Sequence, residues 1–297
     1  MPEETVPDRL EPIEIDPRVF LREHCALPAL PAVITRIQQA IHSEDVSIRE
    51  VGQLISRDPA LLAQVLKVVN SAYFGLPKEV EDANLAVAYI GLNEVYHIVI
   101  SVSVMQTLSL EDKAEVQRFW FHSFYTALCT KFLAKRYERH LSFDDLWSAT
   151  ILHDIGKLVY LKFFPDHYKA LGKYCQEHGC LFSEAEEHFS LPASSFLGTL
   201  LCDHWRLSSK IRDACEFHSL KDLAGVKGDT ASDGFRRIIC LGNLTAVLAG
   251  DKPNDHVKRK LGEAISTTLN LTESELVVLM ADIVELKSEV KKLGDQV

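Results

Sequence analysis

Too few basic residues, no cysteine pair at metal-binding spacing and no long apolar run: these shortages exclude several classes of function at the outset. Lys and Arg total 32 against 42 Asp and Glu, a net charge of −10 with a pI of about 5.6. Such a balance excludes broad electrostatic attachment to nucleic acid and docking on anionic lipid. The longest near-apolar stretch, LAVAYIGLNEVYHIVISVSVMQTL, is interrupted by Asn93, Glu94 and His97 and falls short of a bilayer span. The opening MPEETVPDRLEPIEIDPRVF is acidic and proline-rich, without the apolar core of a secretion signal, so a cytoplasmic location is expected. Seven cysteines (Cys25, Cys129, Cys175, Cys180, Cys202, Cys215 and Cys240) are odd in number and lie mostly in apolar helical patterns. Reduced, core-filling thiols fit that usage. Cys175 and Cys180 lack CxxC spacing and are given no zinc role. There is no glycine-rich phosphate loop, no Ser-His-Asp or Cys-His nucleophile motif, and no internal repeat.

What is present is a globular composition, 47% hydrophobic and 25% charged, with a helical period almost throughout. Residues 1–21 read as an extended lead-in, where Pro2, Pro7, Pro12 and Pro17 obstruct helix. Val33, Ile34, Ile37 and Ile41 then repeat at helical spacing after Pro31. Ser47 and Glu50 stand at capping-box spacing, and Pro59 opens a run that Gly75 stops. LAVAYIGLNEVYHIVISVSV has enough β-branched residues to suggest a strand. With helical neighbours and no partner strand, it is read as two short buried helices meeting near Gly91-Leu92-Asn93. After a polar break, LEDKAEV, come an aromatic-rich helix, VQRFWFHSFYTALCTKFLAKRY, and then SFDDLWSATILHDIGKLVYLKF, with Ser142 and Asp145 at capping spacing. AGVKGDTASDG is read as a surface loop. The fold class is all-α.

Near the C-terminus Leu276, Leu279, Ile283, Leu286, Val290 and Leu293 fall at alternating three- and four-residue steps, a heptad seam flanked by Glu and Lys. The seam is short, so it is expected to pack back on its own domain. A homodimer through 276–293 is the alternative.

The chemistry lies in SATILHDIGKLVY, residues 148–160, an apolar run that carries His153-Asp154 and Gly156-Lys157 at its middle. Adjacent His and Asp supply two metal ligands only when further histidines and carboxylates arrive from other helices. An ion held in that way polarises a phosphate and lowers the pKa of bound water. Taken alone, the dipeptide more often marks a buried His beside a hydrogen-bonded Asp.

ILHDIGKLV after FWFHSFYTALCTKFLA resembles the HD superfamily of metal-dependent phosphohydrolases. The resemblance assigns metal ligation to His122, His153 and Asp154, and a phosphate contact to Lys157. The first half, from LPALPAVITRIQQAIHSEDVSIREVGQLISRDPALLAQVLKVVNSAYFG to LAVAYIGLNEVYHIVIS, is similar to the HDOD (HD-related output domain) family over roughly residues 22–250. It implies an all-helical, two-lobed bacterial fold used mainly in signalling: a first lobe at 22–110, an HD-like lobe at 111–255, and appended helices at 256–297.

The departures from the catalytic pattern are informative. Asn243 stands where the final Asp is expected, and a neutral amide offsets a divalent charge poorly. Relative to HD-GYP phosphodiesterases, Ser194 replaces one histidine, and FHSL offers His218 followed by Ser219 in place of a His-His pair. The ligand set is then His122, His153, Asp154 and His218, suited to one Fe, Zn, Ni or Mn ion and not to two bridged ions. The leading expectation is a regulatory module without catalysis, acting through signalling proteins or a nucleotide-like ligand, with no membrane or nucleic-acid partner. The alternative is a metal-dependent phosphohydrolase of nucleotides or cyclic dinucleotides. That would need an acid at 243, and Asp251 lies more than one turn further on. No receiver, GGDEF or EAL segment occurs in these 297 residues, so input is expected from a separate protein or a small ligand.

Overall fold

Helix starts in this chain coincide with prolines and small polar caps. The computed structural model describes residues 10–13, 30–41, 47–71, 73–108, 110–139, 141, 146–250 and 253–294. Pro31 precedes α1 (Ala32–Ile41), which buries Ile34 and Ile37. Ser47 is extended before α2 (Ile48–Ser56) but makes no side-chain cap bond, so the expected box with Glu50 does not form. Asp58 does cap α3 (Pro59–Val69), accepting from the amides of Ala60 and Leu61 at 3.0 and 3.1 Å. Asp82 caps α4 (Ala83–Ile90) through the Leu85 amide at 2.9 Å. Caps of this kind contribute about 1 kcal/mol each. Between α3 and α4 the Asn70 amide exchanges two hydrogen bonds with the Val80 backbone, 2.9 and 2.7 Å, and pins the connecting turn. Gly91, at φ +90°, separates α4 from α5 (Leu92–Leu108). The β-branched stretch is therefore two helices as expected, although the second is 17 residues long and not short.

Asp112 caps α6 (Lys113–Tyr137). The next helix, α7 (Leu146–Leu152), is buried at every residue and stops at His153-Asp154, where α8 (Ile155–Phe163) begins. The His-Asp pair at the middle of the apolar run is thus the junction of two helices. Ser142 and Asp145 lie outside the described residues. The chain continues through α9 (Pro165–His178), α10 (Phe182–His188), α11 (Ser194–Trp205), α12 (Ser209–Glu216), α13 (Leu220–Gly225) and α14 (Ala231–Gly250). The start of α14 falls inside AGVKGDTASDG, read above as loop. Thr230 and Asp233 cap it reciprocally at 3.1 and 3.2 Å, a signal that the Gly and Ser around it obscure. The last two helices are α15 (Asp255–Leu269) and α16 (Glu273–Gly294).

Buried α7 organises the packing: α5, α6 and α12 all contact it, and α14 lies along α6. Trp147 of α7 meets Tyr73, Phe74 and Phe124 at ring separations of 4.6, 5.6 and 5.5 Å, a cluster that joins the α1–α5 helices to the rest. Lys131 of α6 donates to the Tyr73 carbonyl and stands 4.2 Å from that ring's centroid. Burial, helped by Lys135 and opposed by Glu94, pushes its ammonium down to about 8. The heptad residues Leu279, Ile283 and Val290 are buried in a helix that contacts α6 and α14, and Tyr125 donates to the Ile283 carbonyl at 2.8 Å. That seam therefore faces its own domain. Among the described residues no helix is long and apolar enough to cross a membrane.

Gly242 is where α14 presses on α6. A Cβ there would lie 2.9 Å from Thr130 Cβ and 3.0 Å from its Cα. Gly242→Ala is expected to destabilise the fold by about 1–3 kcal/mol, seen as a lower urea midpoint. An unchanged midpoint would mean the two helices separate freely.

Candidate metal site

The end of α7 and the end of α12 each deliver a histidine whose tautomer is set by a backbone carbonyl. His153 Nδ1 donates to Thr150 O at 2.6 Å, and His218 Nδ1 donates to Ala214 O at 3.0 Å. A carbonyl can only accept, so both Nδ1 atoms carry a proton and Nε2 is the ring atom each histidine turns to the cluster; the His153 ring is neutral and its Nε2 is bare. Both Nε2 atoms face one carboxylate: His153 Nε2 is 3.4 Å from Asp154 Oδ2, and His218 Nε2 is 3.3 Å from Asp154 Oδ1. Cys215 holds α12 on the end of α7 by donating to Leu152 O at 3.2 Å. His153 Nε2 and Asp154 Oδ1 have no hydrogen-bond partner although both are buried. An orphaned buried acceptor costs about 1–3 kcal/mol. A bare imidazole nitrogen and a partnerless carboxylate oxygen, with a second imidazole Nε2 beside them, fit a cation.

α6 adds His122, whose Nε2 is 3.3 Å from Asp154 Oδ2. The donor atoms of His122, His153 and Asp154 all lie within 4.8 Å of one another. Asn243, on α14, donates from Nδ2 to His218 O at 2.9 Å, which turns its Oδ1 to His122 Nε2 at 3.1 Å. His122 Nε2 therefore bears a proton in this arrangement. A cation taking His122 would have to displace that bond, whereas His153 is ready as it stands. The amide thus completes a hydrogen-bond network at the place where an acid would have demanded positive charge.

Lys157, one turn into α8, places Nζ 2.6 Å from Asp154 Oδ2 and 5.3 Å from the Phe182 centroid. Burial pushes the Asp154 carboxyl up, but Lys157 first and then His153, His122 and His218 outweigh it, leaving the group well below the usual carboxylate range. Burial brings His153 down to about 3, only partly opposed by Asp154, so its ring is neutral.

Ser194 and Ser219 turn out to serve helix ends. Ser219 caps α13 reciprocally with Asp222, at 2.9 and 3.2 Å. The Ser194 amide donates to Glu186 Oε1 at 2.9 Å. A Cβ on Gly156 would strike the Ser194 carbonyl and come within 2.6 Å of Gly198 N, so α8 and α11 touch backbone to backbone only because residue 156 is glycine. Glu186 was missed by sequence reasoning, since nothing in SEAEEH sets it apart from Glu187. It is 2% exposed, and burial raises its carboxyl to about 7 against the hydrogen bonds from Ser194 and the charge of Lys157.

A cavity of about 470 Å³ adjoins the cluster, lined by Asp154, Lys157, His122, His218 and Asn243 together with Phe119, Phe182 and Arg118. Among the described lining residues the carboxylates are Asp154 and Glu115. Glu115 is engaged by Arg118 at 2.6 Å and by the Tyr168 hydroxyl at 3.2 Å. No second carboxylate is therefore available there to bridge two ions.

Glu186 gives a pH signature. Its folded pKa is raised from 4.5, so the stability it contributes is present below about pH 4.5 and is lost as pH rises through about 7. Urea titrations of wild type and Glu186→Gln should diverge by about 3 kcal/mol in favour of the variant between those limits and pH 8. Parallel curves would place an unshifted carboxyl at this position.

Residues 27–220 match the HDOD domain family. An uncharacterised protein of Treponema pallidum (strain Nichols) is 28% identical over 192 residues, 65% of this chain, which spans only 37% of that relative's length. Among solved structures, an HDOD domain protein of unknown function from Geobacter sulfurreducens superposes with a TM-score of 0.70 at 23% identity, covering 93% of this chain and 96% of its own. A Shewanella amazonensis SB2B protein, provisionally described as a phosphohydrolase, gives 0.68 at 21% identity and covers 94% and 97%. At these identities the likeness concerns the fold.

Proposed function

We propose that this chain, which belongs to the HDOD domain family, is a regulatory module that keeps one metal-binding centre and no hydrolytic one. The observation that carries the reading is the convergence of bare His153 Nε2, His218 Nε2 and orphaned Asp154 Oδ1, where the other carboxylate among the described lining residues, Glu115, is held by Arg118 and Tyr168. His153, Asp154 and His218 would hold one divalent or iron-type ion, with His122 joining once released from Asn243. Such an ion supplies Lewis acidity toward a phosphate oxygen. The cavity suits a small phosphate-bearing, nucleotide-like ligand: Lys157 and Arg118 offer cations, and Phe119 and Phe182 offer apolar walls. Occupancy of that cavity, sensed by signalling proteins docked on the module, is its proposed output.

A phosphohydrolase of nucleotides or cyclic dinucleotides is the competing reading. It would need a base to activate water, and Glu115, the lining carboxylate beside Asp154, is held by Arg118 and Tyr168. Asn243 leaves a dication with one carboxylate to balance it.

The test is metal content and turnover measured side by side. Tag-free protein should retain about one equivalent of metal, lost in His153→Ala, and should cleave neither a cyclic dinucleotide nor a chromogenic phosphodiester. Asn243→Asp should bind metal about tenfold more tightly. Metal-free, it should be about 1–3 kcal/mol less stable than wild type, because the amide bond to His218 O is gone. Metal-dependent turnover by wild type that His153→Ala abolishes would establish the hydrolase instead.

A further inference from the structure

We propose that Lys157 is a charge latch on the metal site: its ammonium occupies the Asp154 carboxylate, so that metal binding and anion binding in the cavity promote one another. The inference rests on the metal-binding reading above and concerns how that site is regulated. Asp154 Oδ2 is the oxygen on which His122 Nε2 and His153 Nε2 converge, at 3.3 and 3.4 Å, and Lys157 Nζ already sits on it at 2.6 Å. Asp154 is 2% exposed, so the pair is poorly screened by solvent. A dication shared by Asp154 and His153 would meet a neighbouring unit charge across a few ångströms of low-dielectric interior, where like charges repel strongly.

One of the two cations must then withdraw, and Lys157 is the one able to. Its side chain is 26% exposed, lies on the cavity wall over Phe182 and ends on a flexible four-carbon stem. Drawn off Asp154, the ammonium enters the cavity, on whose rim Arg118 is held by Glu115. An oxyanion in the cavity pulls the same way, removing Lys157 from Asp154 and unmasking the carboxylate. Two ligands that each displace one latch bind cooperatively, and by linkage the effect is equal in both directions. Without either ligand the carboxylate and ammonium neutralise each other. This explains how a buried acid is kept in a site that lacks the second one.

A purely structural ion pair makes a different forecast. It too predicts that removing Lys157 harms stability, but it gives no reason for metal to bind better. Wild type, Lys157→Met and Lys157→Arg are therefore titrated calorimetrically with Mn2+, Zn2+, Ni2+ and Fe2+ in turn, with and without sulfate as the oxyanion probe. The latch requires Lys157→Met to bind metal at least about tenfold more tightly than wild type, and Lys157→Arg to return the affinity toward wild type. Sulfate should tighten wild-type metal binding several-fold and leave Lys157→Met unaffected. Should the Met variant fail to fold, Lys157→Gln removes the charge while keeping a hydrogen-bond donor. Metal binding to wild type that is equal or weaker in the uncharged variant would overturn the latch and leave the metal reading standing. No binding of any of the four ions to natively folded wild type and uncharged variant would remove both.

Discussion

A carboxylate shut away from water must be surrounded by positive charge or by donors, and the arrangement around Asp154 follows from that requirement. The group is 2% exposed and stays ionised. Lys157 supplies the charge, one helical turn away on α8. His122 turns its protonated Nε2 toward it from α6, and Asn243 fixes that proton's position from α14. For Asp154 to sit at the head of α8, α7 must stop at Leu152. For α8 to lie close enough to α11, residue 156 must be glycine. The helical packing and the site are thus one construction, with α7 bearing Trp147 at the contact with the first helices and leading directly to His153.

What distinguishes a scaffold from a metal site here is where protons are, and backbone carbonyls decide that. Thr150 O and Ala214 O put a proton on Nδ1 of His153 and of His218, and burial keeps the His153 ring neutral with its Nε2 lone pair unshared. A site kept only for packing would gain nothing from burying a bare His153 Nε2 and a partnerless Asp154 Oδ1 in one cluster. Asn243 works the other way, holding the His122 proton in a neutral network. The two tendencies together support the proposed single-cation centre, short of the negative charge needed for a bridged pair.

Much of this was legible in the sequence, and the reasons for what was not are physical. The helical periods, the Gly91 break and the inward-facing Leu279–Ile283–Val290 stripe are local patterns, and local patterns survive in a string of letters. So do ligand types: His122, His153, Asp154 and His218 are chemically apt and do meet. The partners were hidden. Asn243 lies 121 residues from His122, and its role depends on which way an amide turns once His218 O is in place. The resemblance assigns Lys157 a phosphate contact; that its ammonium also sits on Asp154 depends on a rotamer that spacing does not give. Ser219 marks an absent histidine in the aligned pattern, yet in space it is a helix cap paired with Asp222. The Ser47–Glu50 spacing promised a cap that does not form, since sequence supplies the donor and acceptor types but not their orientation.

The proposed centre requires Nδ1–H on His153 and His218, with Nε2 of each ring turned to Asp154. Long-range proton–nitrogen NMR correlation of the histidine rings in metal-free protein, with His153→Gln and His218→Gln for assignment, reads this directly. The account predicts Nδ1–H tautomers for both rings, with both Nε2 resonances moving when a diamagnetic dication such as Zn2+ is added. Nε2–H tautomers at these positions, or Nε2 resonances indifferent to the ion, would contradict it.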